Sequence, residues 1–262
     1  MRRRSVIATA LVFCCFTLSA KTLHVASDVW CPYICDTQPG YLVEIVQRAF
    51  ETQGSRVVFI PMPFKRALKE AKAGNIDAVL AITATVATAN QLLIDDTEVG
   101  YYSNDFFVVK NNSWTYHQLS DLNQQSIAAI KGYDYGTVLG PYLYQHKALF
   151  LASGEDPLSM NIIRLTKGRH KVIVDNKNVI EYTAKQLGLS DKIQFAGSMP
   201  DKQPLYIGFN AQQEAALAQF TLGVSALKQS GEYQQILDKY QISINSEPIE
   251  LKQKRSADFL SM

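Results

Sequence analysis

Apolar positions along this chain fall into two rhythms. Between Gly40 and Gly54, Leu42, Ile45, Val46, Ala49 and Phe50 recur at spacings of three and four, which predicts a helix with one buried face. Val57-Val58-Phe59-Ile60 is an unbroken apolar run, the pattern of a strand covered on both sides. Leu23 to Ala26 reads as a strand before these elements. After the break at Pro61-Met62-Pro63 come a helix from Phe64 to Ala73 and a strand from Ile76 to Ile82. The order β-α-β-α-β predicts a parallel sheet with right-handed crossovers. Ligands of such sheets bind outside the carboxyl ends of the strands, so Ser27–Tyr33, Pro61–Arg66 and Thr83–Thr88 share one rim.

The second half repeats the plan. Gly74 and Gly168 each end a helical stretch and precede a short apolar strand; glycine closes a helix in the left-handed conformation at little steric cost. Two such junctions predict two α/β lobes and a cleft between them. Phe106–Val109 reads as a strand, and the polar turn Lys110–Ser113 as the exit from the first lobe. The second lobe then opens near Leu119–Leu122. It continues with a strand at Ser126–Ile130, the turn Gly132–Thr137 leading into a helix, and a helix at Asn161–Thr166. A strand at Val172–Val174 and a helix at Asn176–Leu187 follow. A late strand, Leu205–Asn210, carries the chain back, and helices fill residues 211–240. The expected division is a leader over 1–20, lobe 1 from 21–108 and 210–262, and lobe 2 from 109–209, with a charged tail from Ser246 as an extended or loose arm.

The leader is read from Arg2-Arg3-Arg4, the apolar run Val6 to Leu18 and the small residues Ser19-Ala20: a cleaved secretion signal, too short to span a membrane. It changes the charge balance. The formal net charge is +2, but without those three arginines 23 basic side chains face 24 acidic ones, and no basic patch favours nucleic acid. The chain thus reads as a secreted, soluble protein. Of four cysteines, Cys14 and Cys15 lie in the leader, where a lipidation site would lack its small-residue neighbour. An oxidising compartment favours a Cys31–Cys35 disulfide over two free thiols.

Candidate chemistry sits on the predicted rim. Trp30 and Tyr33 can stack on a ligand or hold a cation, or simply pack their loop. Arg66, in a helix's first turn where a cation is disfavoured, invites an anion; the alternative is a solvated surface arginine. Gly132 and Tyr133 open a Gly-bracketed turn whose N–H groups could dock an anionic or carbonyl group, or serve only as a tight strand–helix turn. Asp175 at a strand end can hold an ammonium group or cap the helix from Asn176. His24, His117, His146 and His170 are dispersed, and no nucleophile or zinc motif occurs, so no metal, cofactor or enzyme activity is expected.

Ala26–Tyr33, Gly40–Ile45, Pro63–Leu68, Gly74–Asp77, Gly132–Gly136 and Gly231–Tyr233, in this order, make the chain resemble the bacterial extracellular solute-binding proteins of family 3, the polar amino-acid type. The resemblance implies a two-lobed, type II periplasmic-binding-protein fold. Each lobe is then a mostly parallel sheet flanked by helices, joined by two hinge crossovers. It implies a periplasmic monomer that captures a small polar solute, an amino acid or related carboxylate, and delivers it to the permease of an ABC-type importer. Relatives that sense ligands, or that act as dehydratases, mark the other readings. It also implies an arginine after the third strand to clamp the ligand's carboxylate, but the segment Ile82–Asn90 carries Thr83, Thr85 and Thr88 and no arginine. The ligand set expected is therefore Trp30, Tyr33, Arg66, Thr83, Gly132, Tyr133 and Asp175.

Overall fold

Two five-stranded sheets form the framework, joined twice by the chain. A computed structural model describes residues 21–240 and 242; the expected leader and the tail from Ser246 lie outside the described residues. The first sheet has the order β2-β1-β3-β10-β4, from β1 (Thr22–Ser27), β2 (Arg56–Pro61), β3 (Ala78–Ile82), β4 (Gly100–Tyr102) and β10 (Gln203–Phe209). The second has the order β7-β6-β8-β5-β9, from β5 (Asp105–Val109), β6 (Ile127–Ile130), β7 (Leu149–Ala152), β8 (Val172–Asp175) and β9 (Ile193–Ser198). In each sheet three strands run parallel and the returning strand is antiparallel: β10 on β3, and β5 on β8. This is the two-lobed, type II periplasmic-binding-protein architecture that the resemblance implied.

The predicted helices form where the apolar spacing put them. Helix α1 (Tyr41–Thr52) buries Leu42, Ile45, Val46, Ala49 and Phe50, the face read from the sequence. It packs on α7 (Glu214–Ser230) so closely that a Cβ on Gly223 would stand 2.2 Å from the Ala49 carbonyl oxygen. Phe50 meets Phe209 and Phe220 at centroid distances of 6.2 and 5.9 Å, tying helix, sheet and C-terminal helix into one core. Helix α2 (Phe64–Lys72) follows β2, and α3 (Ala84–Asn90) follows β3. On the second sheet lie α4 (Gly136–Gln145), α5 (Pro157–Thr166) and α6 (Lys177–Gln186), and α8 (Glu232–Lys239) closes the first. Gly74 and Gly168 have φ of +77° and +69°, the left-handed closure predicted for both.

The lobe boundaries differ from those expected. Phe106–Val109 belongs to the second sheet, where β5 pairs with β8 and β9, and Leu205–Phe209 belongs to the first, where β10 pairs with β3 and β4. The chain crosses at Ser103–Asn104, between β4 and β5, and again between β9 and β10. Met199 N–H donates to the Asn104 carbonyl at 2.8 Å, so the two crossings brace each other. A buried apolar strand looks the same in either sheet. Sheet membership is set by pairing partners distant in sequence, and the polar turn after Val109 marks a strand end without marking a lobe boundary.

Candidate functional site

The carboxyl ends of β1, β3, β6 and β8 converge where the two sheets face each other, the position expected for a ligand in open α/β sheets. They enclose a cavity of about 70 Å³. Its polar lining comes from Asp28 and Trp30 after β1, Thr83 after β3, Tyr133 and Asp134 after β6, and Asp175 closing β8. Tyr102 and Asn104, at the first crossing, line it as well, with Ser27, Tyr135 and Asn176. Small-molecule pockets are usually ~300–1,000 Å³, so the cleft here is drawn nearly shut.

Side chains do the closing. Trp30 Nε1 donates to Asp175 Oδ1 at 3.1 Å, Tyr133 OH to Asp28 Oδ2 at 2.5 Å, and Thr83 Oγ1 to Asp134 Oδ2 at 2.6 Å. Tyr102 OH donates to the Asp134 carbonyl at 2.8 Å. Each of these bonds joins a residue of the first sheet's side to one of the second. A solute entering the cleft must replace several of them, so its affinity is set against contacts the protein already makes.

Asp175 is 4% exposed. Its Oδ1 accepts from Trp30 and from the Asn176 N–H at 2.7 Å, whereas Oδ2 has no partner. Burial pushes its carboxyl up from 3.8 to about 7, with the neighbouring Asp28 and Asp105 charges adding to the effect. The helix-cap alternative does not hold: Asn176 is the N-cap of α6, its Oδ1 accepting from Asn178 N–H at 3.0 Å. Asp28 is pushed up to about 6, again chiefly by burial, with the Tyr133 hydroxyl opposing. Carboxyls displaced toward neutrality inside a cleft are candidates for a functional site.

Of the seven expected ligand residues, four line this cavity: Trp30, Thr83, Tyr133 and Asp175. Gly132 lies beside it with φ +92°, and a Cβ there would stand 2.1 Å from Lys65 Cε; its space is used by the Lys65 stem crossing from α2. Tyr33 stacks on Trp30 at 4.4 Å between centroids, and its hydroxyl accepts from Asn178 Nδ2 at 3.1 Å. It lines a second cavity, of about 340 Å³, together with Tyr102, Ser103 and Asp105 around the first crossing. Arg66 is not in the cleft. Its side chain is 69% exposed and 4.0 Å from Glu70, one turn on, which makes it the solvated surface arginine of the alternative reading. Arg66, the third residue of α2, lies out in solvent, while Phe64, the first, lines the cavity and meets Tyr133 edge-on at 6.1 Å.

Asp28, Tyr102, Asn104, Asp134 and Tyr135 also line the cavity and were not singled out from the sequence. Asp28 sits inside the rim segment Ser27–Tyr33 and Asp134 inside the turn Gly132–Thr137, so position was legible and role was not. Cys31 and Cys35 are bonded, with Cα atoms 4.9 Å apart, in the loop that carries Trp30. Among the described residues no group of three or more metal-ligating side chains clusters, and no helix is long and apolar enough to cross a membrane.

Two sheets joined by paired crossings, with a cleft lined by polar groups from both, are the architecture of the two-lobed periplasmic-binding-protein fold. The chain belongs to the bacterial extracellular solute-binding proteins, family 3, whose model matches residues 30–243. Solved structures share the fold. A histidine kinase sensor domain with similarity to periplasmic binding proteins matches with a TM-score of 0.72 at 20% identity, over 84% of this chain and 96% of that one. An ancestral arginine-binding protein bound to arginine matches with a TM-score of 0.72 at 19% identity, over 84% and 97%. The substrate-binding protein of an amino acid ABC transporter matches with a TM-score of 0.67 at 17% identity, over 85% and 99%. No curated protein matches the chain.

Proposed function

We propose that this protein is a periplasmic solute-binding protein that captures a small polar solute bearing an ammonium group and delivers it to an ABC-type importer. The observation that carries this reading is the unpartnered Asp175 Oδ2, buried at a strand's carboxyl end inside the cleft. A buried carboxylate oxygen without a donor is costly, and an ammonium group supplies both charge and hydrogen bond. Trp30, Tyr102 and Tyr133 offer aromatic surface to the same cation. The family and the amino acid transporter relative support transport. The Arg-rich leader supports export, with the signal removed before residue 21. Closure follows as a population shift, since a ligand touching both sheets favours the shut cleft.

The test is a thermal-shift and calorimetric screen of amino acids, opines, organic acids and polyamines. A ligand that binds the native state raises Tm, and Asp175→Asn is expected to abolish the shift. A screen in which no compound raises Tm refutes the reading. Ligand sensing without transport is the second reading, favoured by the likeness to a sensor domain. Delivery predicts that deleting the gene lowers cellular uptake of the screening hit; sensing predicts unchanged uptake and a changed transcriptional response.

A further inference from the structure

The cavity's carboxylates differ in what they hold. Asp134 is satisfied on both oxygens: Oδ2 accepts from the Thr83 hydroxyl at 2.6 Å, and Oδ1 from the Gly136 N–H at 2.8 Å. Thr83 is itself held in place, since its Oγ1 accepts from Val86 N–H at 3.2 Å as the N-cap of α3. The Gly136 N–H belongs to the glycine-bracketed turn whose N–H groups the sequence offers to an anionic or carbonyl group. Thr83 stands just after the third strand, where the expected clamp arginine is missing. The protein spends both donors on its own carboxylate. Asp175, by contrast, keeps one buried oxygen without a donor.

No arginine, lysine or histidine is among the described residues that line the cavity. Arg66 is out in solvent, and Lys65 is exposed, its stem laid across Gly132. A carboxylate entering with a ligand would therefore meet Asp28 and Asp134 with no cation to pair it, and a buried unpaired charge is strongly disfavoured. An ammonium group meets the opposite situation, with an unused acceptor and aromatic faces around it.

We infer that Asp134 stands where a ligand's carboxylate would be held, and that the cleft takes a small organic amine lacking a carboxylate. This rests on the solute-binding reading above and narrows it: the charge complement is built into the protein, and the solute brings only the cation.

Matched pairs test it. Isothermal titration calorimetry of the purified protein at pH 8 compares putrescine with ornithine, agmatine with arginine, and ethanolamine with serine. At least one amine is expected to bind, with its carboxylated parent weaker by about tenfold or more, the scale of one uncompensated polar group. Asp134→Ala frees the Thr83 and Gly136 donors and is expected to narrow that ratio by about tenfold. A parent amino acid that binds the wild type as tightly as its decarboxylated partner overturns the inference and leaves solute binding standing. An unchanged ratio in folded Asp134→Ala protein overturns the role of Asp134. If no amine, amino acid or organic acid binds, the solute-binding reading falls, and this inference with it. The wild-type pairs decide the ligand class even where the variant does not fold.

Discussion

Replacing Asp175 with asparagine should stabilise the ligand-free protein at alkaline pH while abolishing its binding. In the folded chain the Asp175 carboxyl is raised from 3.8 to about 7 by burial. Between those two pH values the folded state holds a proton that the unfolded state has released, so stability is fully present below about pH 4 and is lost as pH rises through 7. Roughly three pH units at ~1.36 kcal/mol each make this about 4 kcal/mol. Asparagine is a neutral near-isostere whose oxygen can keep the bonds from Trp30 Nε1 and Asn176 N–H. The variant should match the wild type near pH 4 and exceed it at pH 8. With about 2–4 °C of Tm per kcal/mol for a chain of this size, the gain at pH 8 is roughly 8–16 °C. Scanning calorimetry of both proteins from pH 4 to pH 8 measures it. A residual slope in the variant is expected from Asp28, which is raised to about 6 and acts with the same sign. If the two Tm curves run parallel, or the variant is the less stable at pH 8, Asp175 is hydrated in solution and the buried-carboxylate argument is wrong.

Other outcomes follow from close packing and from exposure. Arg66→Ala should leave the affinity for any screening hit within twofold, by calorimetry, because the side chain is 69% exposed and outside the cleft. Gly223→Ala would place a Cβ 2.2 Å from the Ala49 carbonyl oxygen, so α7 must move off α1; a loss of about 1–3 kcal/mol by urea unfolding is expected. The double variant Cys31→Ser, Cys35→Ser opens a bridge with a sequence separation of 4, worth about 2 kcal/mol on a loop-entropy basis, and should lower both Tm and ligand affinity through the freed Trp30 loop. Tyr133→Phe removes the donor to Asp28 across the cleft and should raise the carboxyl of Asp28 further, steepening the fall of Tm between pH 5 and pH 7.

Local pattern carried much of this protein's fold. The helical spacing of Leu42 to Phe50, the apolar run at Val57–Ile60 and the two left-handed glycines needed only neighbouring residues to be recognised, because periodicity and backbone sterics act over a few positions. The rule that ligands gather at strand carboxyl ends placed Trp30 and Thr83 on one rim, the glycine-bracketed turn and a strand end singled out Tyr133 and Asp175, and the structure brings these four together. The strands β4, β7 and β9 and the helix α3 are short or weakly patterned, and their formation depends on partners elsewhere in the chain. The sheet to which β5 and β10 belong is likewise a matter of pairing across more than sixty residues, which no local signal encodes. The site shows the same division. Sequence alone determined that a carboxylate, aromatic rings and hydroxyls would stand at one rim, and that the expected clamp arginine was missing. Only the tertiary structure decided that Arg66 faces solvent and that Asp134 accepts from both the Thr83 hydroxyl and the Gly136 N–H. It alone leaves one oxygen of Asp175 buried and free, because direction and satisfaction of a side chain are settled by what folds against it.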